Sequence, residues 1–228
     1  MLAEPVLRES LAHIAAVNRW LGGRRALLHH LDSLWPRGSE PFRILDVGTG
    51  GGEMPLAIAR WARRHERRVR IVACDAHPQT LAIASEHCAG DPDIVVEPGD
   101  ALALEYTDRS FDVALLTLTL HHFEGDDRVQ ALRELFRVSR RAILVSELER
   151  SWPNYAGARA LAATIWRTNE ITRHDGPISV LRAFSPDELR DVAAAAALPG
   201  ARVHRHPFYR LILRAERNAP ASAARSGG

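Results

Sequence analysis

The sequence predicts an α/β protein, a mostly parallel sheet covered by helices on both faces, and three observations carry that expectation. Short apolar runs alternate with helix-periodic segments between residues 42 and 148. A glycine-rich turn, "GTGGG", follows the first apolar run. Two further strand candidates, "ARVHRHPF" and "YRLILRAER", stand close enough in the chain to pair as an antiparallel hairpin.

Residues 5–35 read as two helices, with apolar positions at helical spacing and a break at Gly22-Gly23. "WPRGSEP" ends them, and "FRILDVG" is the first strand. "EMPLAIARWARRH" is a helix that offers Leu56, Ile58, Ala59 and Ala62 to a core. "RVRIVACD" is a second buried strand, and "HPQTLAIASEHCA" a helix with Pro78 in its first turn. "DIVVEPGD" and "FDVALLTLTL" follow as strands, "DRVQALRELFRVS" as a helix and "RAILVSEL" as the fifth strand. Such alternation implies right-handed crossovers and a parallel sheet. Residues 152–176 are mostly helical and lie outside that rhythm. In "SPDELRDVAAAAA", Ser185 is the N-cap, Pro186 the first helical residue and Glu188 completes a capping box. The hairpin makes the sheet seven-stranded. Residues 218–228 are small and polar and are expected to be disordered.

With 228 residues, 46% of them hydrophobic, the chain has the size of one ordinary domain with a full core. Its net charge of +2 is interspersed, which gives no electrostatic case for nucleic acid. All 30 basic residues are arginine, and the densest run, Arg60 to Arg70, reads as a solvated helix face. No apolar run reaches the length of a membrane span and no cleavable leader is visible, so cytoplasm is the expected compartment. Cys74 and Cys88 lack metal-ligating spacing.

The glycine turn carries the function. GxGxxG fails because its third glycine would fall on Glu53, whose charge opposes a pyrophosphate at a helix N-terminus. A P-loop fails because the chain has no lysine. Asp-x-Gly-x-Gly-x-Gly does fit, with Asp46, Gly48, Gly50 and Gly52. With Asp75 ending the second strand, "GDALALEYTDRSFDVALL" and "LTLHHF", the chain resembles the class I S-adenosylmethionine-dependent methyltransferases over roughly residues 40–150. The resemblance implies a Rossmann-like fold and a cofactor, S-adenosylmethionine, leaving as S-adenosylhomocysteine. Asp46, Gly48, Thr49, Gly50 and Gly52 would surround its methionine part. Asp75 and Ala76 would meet the ribose, Asp100 and Ala101 the adenine, and Thr117 would stand at the end of the fourth strand. A cationic sulfonium suits a turn of small residues beside a carboxylate.

The same resemblance makes residues 1–35 a helical lid on a methyltransferase domain of residues 40–217. Arg19 would meet the methionine carboxylate and Trp20 would wall the pocket. Removing a proton from a hydroxyl acceptor suits histidine. The candidates are His121 and His122, expected to point to opposite sides of an extended chain, and His174 in a loop with Asp175 as partner. His29 and His30 are set aside as part of an N-terminal helix. His204 and His206 share one strand face without a third ligand, so no metal site is expected. Trp152, Tyr155 and Trp166 in the 152–176 segment suit a flat or lipid-like acceptor, an arrangement similar to methyltransferases of polyketide, phenolic-lipid and quinone pathways. The expected activity is O-methylation of an aromatic or polyketide-like small molecule by a monomer or homodimer. C- or N-methylation and a non-catalytic cofactor-binding partner protein are the alternatives.

Overall fold

The structure, a computed structural model, describes residues 3–36, 38 and 40–217; the tail expected to be disordered lies outside them. Two helices, α1 (Glu4–Trp20) and α2 (Gly23–Leu34), come first. Gly22, in the left-handed region at φ 76°, joins them where the sequence breaks. Strands β1 (Phe42–Val47), β2 (Val69–Asp75), β3 (Ile94–Pro98), β4 (Phe111–Thr117) and β5 (Ser139–Leu148) then alternate with helices α3 (Glu53–Arg64), α4 (Pro78–Cys88) and α5 (Asp126–Val138). No helix separates β3 from β4; residues 99–110 form an irregular connection. Helices α6 (Trp152–Ala163), α7 (Glu170–Arg182) and α8 (Pro186–Ala195) precede the hairpin strands β6 (Arg202–His206) and β7 (Arg210–Glu216).

The sheet runs β3-β2-β1-β4-β5-β7-β6. The first five strands are parallel, and β7 enters antiparallel between β5 and β6. Alternation along each strand builds two cores. Phe42, Ile44, Val113, Leu115 and Leu144 face α2 and α3, while Leu45, Val47, Ala114 and Leu116 face α5 and α8. The capping box of α8 forms as its sequence requires. Among the described residues no helix is long and apolar enough to cross a membrane.

Two expectations need correction. The helical segment is expected to end at 176 with His174 in a loop, yet α7 runs on to Arg182, with His174 and Pro177 inside it. A Cβ at 176 would stand 2.6 Å from Cζ3 of Trp166, so that glycine lets α7 pack on the indole. His29 and His30 also matter more than a helix surface would. His30 is buried, its Nε2 lies 2.9 Å from Nε2 of His206, and the His30 and His204 rings are 4.7 Å apart. The strand face of His204 and His206 therefore meets α2 rather than solvent. Among the described residues no group of three or more His, Cys, Asp or Glu is arranged to hold a metal ion.

The hairpin also fixes α1. Arg210, fully buried on β7, donates from Nε to the Leu21 carbonyl at 3.2 Å and from Nη2 to that of Val17 at 3.4 Å. Arg214 reaches Ser33 on α2, with Nη1–Oγ 2.6 Å.

Candidate active site

The chain leaves β1 toward β2 on one side and returns to β4 on the other, so the strand order reverses at the carboxyl end of β1. Open α/β sheets bind their ligands there. A cavity of about 620 Å³ occupies that place. The turn after β1, the end of β2, residues 99–101 and residues 117–119 line it. Leu11, Ile14, Ala15 and Asn18 close it from α1, spaced as one helical face.

Backbone conformation shapes the turn. Gly48 has φ 64°, and a Cβ there would stand 2.7 Å from Oγ1 of Thr119. The loop after β4 thus approaches the glycine turn closer than any side chain permits. Gly52, by contrast, precedes α3 at φ 78° and packs on α4, where a Cβ would meet Sγ of Cys88 at 2.8 Å. It lies outside the cavity lining, so its expected cofactor contact is a helix-packing role instead.

The charge of the wall is one-sided. Asp46, Glu53, Asp75 and Asp100 line the cavity without a single arginine, in a chain that has 30. Asp75 is held by the N–H groups of Gly50 (3.0 Å to Oδ2) and His77 (2.9 Å to Oδ1). Asp100 accepts from the N–H of Leu102 at 2.9 Å. Asp46 is fully buried, and neither of its oxygens has a hydrogen-bond partner among the described residues. Burial pushes its carboxyl up to about 7; the Thr49 hydroxyl pulls it down and the Asp75 charge pushes it further up. An unpaired buried carboxylate costs stability, and the missing partner defines what the cavity suits: a cationic ligand.

The matching family has that ligand. Residues 44–142 match the family model described as a methyltransferase domain. That stretch, less than half of the chain, is similar to such domains. Their cofactor, S-adenosylmethionine, fits the donor set, because a sulfonium and an ammonium suit four carboxylates, with Asp46 lacking a hydrogen-bond partner among the described residues. A demethylmenaquinone methyltransferase of Deinococcus radiodurans is 36% identical over 99 residues, 43% of this chain and 39% of that protein. The ubiquinone/menaquinone biosynthesis C-methyltransferase UbiE of Nitrobacter hamburgensis is 33% identical over 106 residues, 45% and 40% of the two chains. The chain thus spans well under half the length of these curated relatives. A SAM-dependent methyltransferase from Aquifex aeolicus shares the fold at TM-score 0.65 and 16% identity, over 95% of this chain and 99% of that one. The CMeT domain of the citrinin polyketide synthase does so at TM-score 0.66 and 15% identity, over 88% and 53%.

Around the cavity, Asp46, Gly48, Thr49, Gly50, Asp75, Ala76, Asp100, Ala101 and Thr117 all lie in the wall. Arg19 and Trp20 do not. They are exposed one and two residues beyond Asn18, a rotation of about 100° per residue that takes them off the inward face. Asn18, with its Oδ1 buried and unpartnered, is the residue α1 turns inward instead. Trp152 is exposed and Trp166 buried, and neither lines the cavity.

The histidines also sort differently. Leu120–His122 form a 3-10 turn and not an extended chain, so the rings of His121 and His122 lie side by side, 4.2 Å apart. His122 lines the cavity, and burial first, then His121, holds it below the usual histidine range. His121 is buried behind the wall with Nδ1 2.7 Å from Oε2 of Glu147, itself fully buried on β5. The other carboxylate oxygen of Glu147 accepts the Leu120 N–H at 2.8 Å. His174 sits on the exposed side of α7, not in a loop, and is outside the lining, as is Asp175. Glu147 escaped the sequence reading; its signal is a lone acid near the end of a strand whose middle, residues 142–145, is apolar.

Asp46 makes the site pH-sensitive. Its folded-state value lies above its unfolded one, so its burial costs stability increasingly as pH rises from the unfolded value to about 7. A cationic ligand prefers the carboxylate over the acid. Affinity for S-adenosylmethionine should therefore rise with pH through about 7. In Asp46→Asn it should be weak and flat, as calorimetry on both sides of that value will read.

Proposed function

We propose that the protein transfers a methyl group from S-adenosylmethionine to a small-molecule acceptor, at a ring or chain carbon made acidic by a neighbouring hydroxyl or carbonyl. The observation that carries this reading is the ring of His122 on the cavity wall, backed by the buried His121–Glu147 pair at 2.7 Å. Bound in the cavity, the cofactor supplies an electrophilic methyl group. The chain supplies the base. His122, whose ring lines the cavity and which burial holds below the usual histidine range, receives the acceptor's proton. The Glu147 charge behind it then stabilises the imidazolium. His121, buried with Nδ1 2.7 Å from Glu147 and its ring 4.2 Å from that of His122, is a positioning residue that does not touch the acceptor. Meanwhile Asp46, Asp75 and Asp100 hold the cofactor, and α1 excludes water from one side.

The named relatives support carbon as the acceptor atom, since UbiE is described as a C-methyltransferase of quinone biosynthesis. An oxygen acceptor, which the sequence suggests, would use the same base. Incubation with methyl-labelled S-adenosylmethionine and a panel of phenols, quinols and β-dicarbonyl compounds separates the two. Label on carbon is the expected product. Label on oxygen or nitrogen moves the acceptor, and cofactor binding without any product returns the chain to a binding role.

A further inference from the structure

Eight large apolar side chains among the described residues are strongly exposed, and only Val95 lies away from one end of the molecule. The other seven sit on or beside α1, α6, α7 and the β6–β7 turn. Trp152 is 80% exposed, Trp20 71%, Ile165 65% and Phe208 58%. Trp20, Trp152, Phe208 and Tyr209 share a corner, and Ile165 lies past the far end of α6. Phe208 lies against Gly22, where a Cβ would meet it at 3.4 Å, two residues from Trp20. The Tyr209 carbonyl accepts the Glu149 N–H at 2.8 Å, three residues before Trp152. Phe208 and Tyr209 both have positive φ, 61° and 57°, a costly conformation for aromatic residues at an exposed turn.

Helix α6 continues the surface. It buries only Ala158 and Ala162, and its solvent side presents Trp152, Ala156, Ala160 and Ala163. Solvent-facing helices ordinarily carry charge of both signs; this one does not. From Ser151 to Asn169 the chain has two arginines, Arg159 and Arg167, both exposed, and no acid. The α6 part of the face is thus edged by Arg159 and Arg167 alone, while Glu170 and Asp175 on α7 are accompanied by Arg173 and Arg182 and Glu149 is paired with Arg205. That edge matches a surface apolar below and anionic above.

We propose that this face docks the protein on an anionic lipid bilayer, with Trp152, Ile165 and the Phe208–Tyr209 turn entering the headgroup region and Arg159 and Arg167 meeting lipid phosphates. The surface borders the cofactor end of the sheet, so a docked protein presents its cavity toward the lipid. It adds a partner to the activity above and does not depend on which atom accepts the methyl.

Vesicle flotation tests this with the full chain and no cofactor or acceptor. The protein should float with vesicles of phosphatidylcholine and phosphatidylglycerol in equal parts, release as salt is raised, and stay behind with phosphatidylcholine alone. Trp152→Glu combined with Ile165→Glu should weaken flotation by at least about tenfold. Both positions are exposed, so thermal unfolding and S-adenosylhomocysteine affinity should match wild type. Absence of flotation, or equal flotation on neutral vesicles, overturns the proposal. So does a concentration-dependent dimer that the double variant converts to monomer without any vesicle binding, which would assign the face to a second copy.

Discussion

Replacing His122 by alanine should lower kcat by roughly 10²–10⁴-fold, the usual contribution of a positioned general base, while S-adenosylhomocysteine affinity falls far less. The separation follows from geometry: Asp46, Asp75, Asp100 and the glycine turn surround the cofactor's place, whereas His122 lines the cavity from the turn after β4. Glu147→Gln keeps the shape of the carboxylate and its acceptor for the Leu120 N–H, but removes the charge that stabilises an imidazolium. Turnover should fall, and the acidic limb of the kcat/KM profile should move to lower pH, because the protonated base has lost its counter-charge. His121→Asn should lower turnover less, by loosening the turn that carries His122. If His122→Phe keeps most of its turnover while His121→Asn abolishes it, the ring on the cavity wall is not the base.

Gly48→Ala should weaken S-adenosylhomocysteine binding by at least roughly 30-fold. A left-handed alanine costs about 1–2 kcal/mol, and overpacking about 1–3 kcal/mol more. The new methyl would stand 2.7 Å from Oγ1 and 2.9 Å from Cγ2 of Thr119. The turn must then leave the position in which it lines the cavity. Adding Thr119→Ala removes both clashing atoms but not the backbone cost. The double variant should therefore recover part of the affinity, never all of it. Full recovery would mean that sterics alone, and not the positive φ of Gly48, require glycine.

Such effects were visible in the sequence to different depths. The strand and helix alternation, the break at Gly22-Gly23 and the capping box at Ser185 are local signals, and each element stands where its residues put it. Asp46, Asp75 and Asp100 were legible because strand ends and the glycine turn define the site by topology. Arg19 and Trp20 were not, because one residue along a helix turns a side chain by about 100°, and only docking on the sheet decides which face looks inward. The same docking brings Asn18 into the cavity wall. His121 met its partner through a contact spanning 26 residues, between the ends of two adjacent parallel strands. The pairing of His30 with His206 spans 176. Periodicity within one segment carries no information about either.

Val17, Leu21, His30 and Ser33 are held by Arg210, His206 and Arg214 across sequence separations of 176 to 193 residues. A ribosome adding about 5–20 residues per second takes roughly 10–40 s to cover that distance. Throughout that interval the α1 wall of the cavity has no anchor on β7, and Leu27 and Leu31, fully buried in the finished protein, lack part of their cover. Occupancy by the cofactor is thereby deferred to the end of the folding path: a nascent or prematurely released chain stopping short of Arg210 holds every acidic residue of the site and still has no closed place to use them.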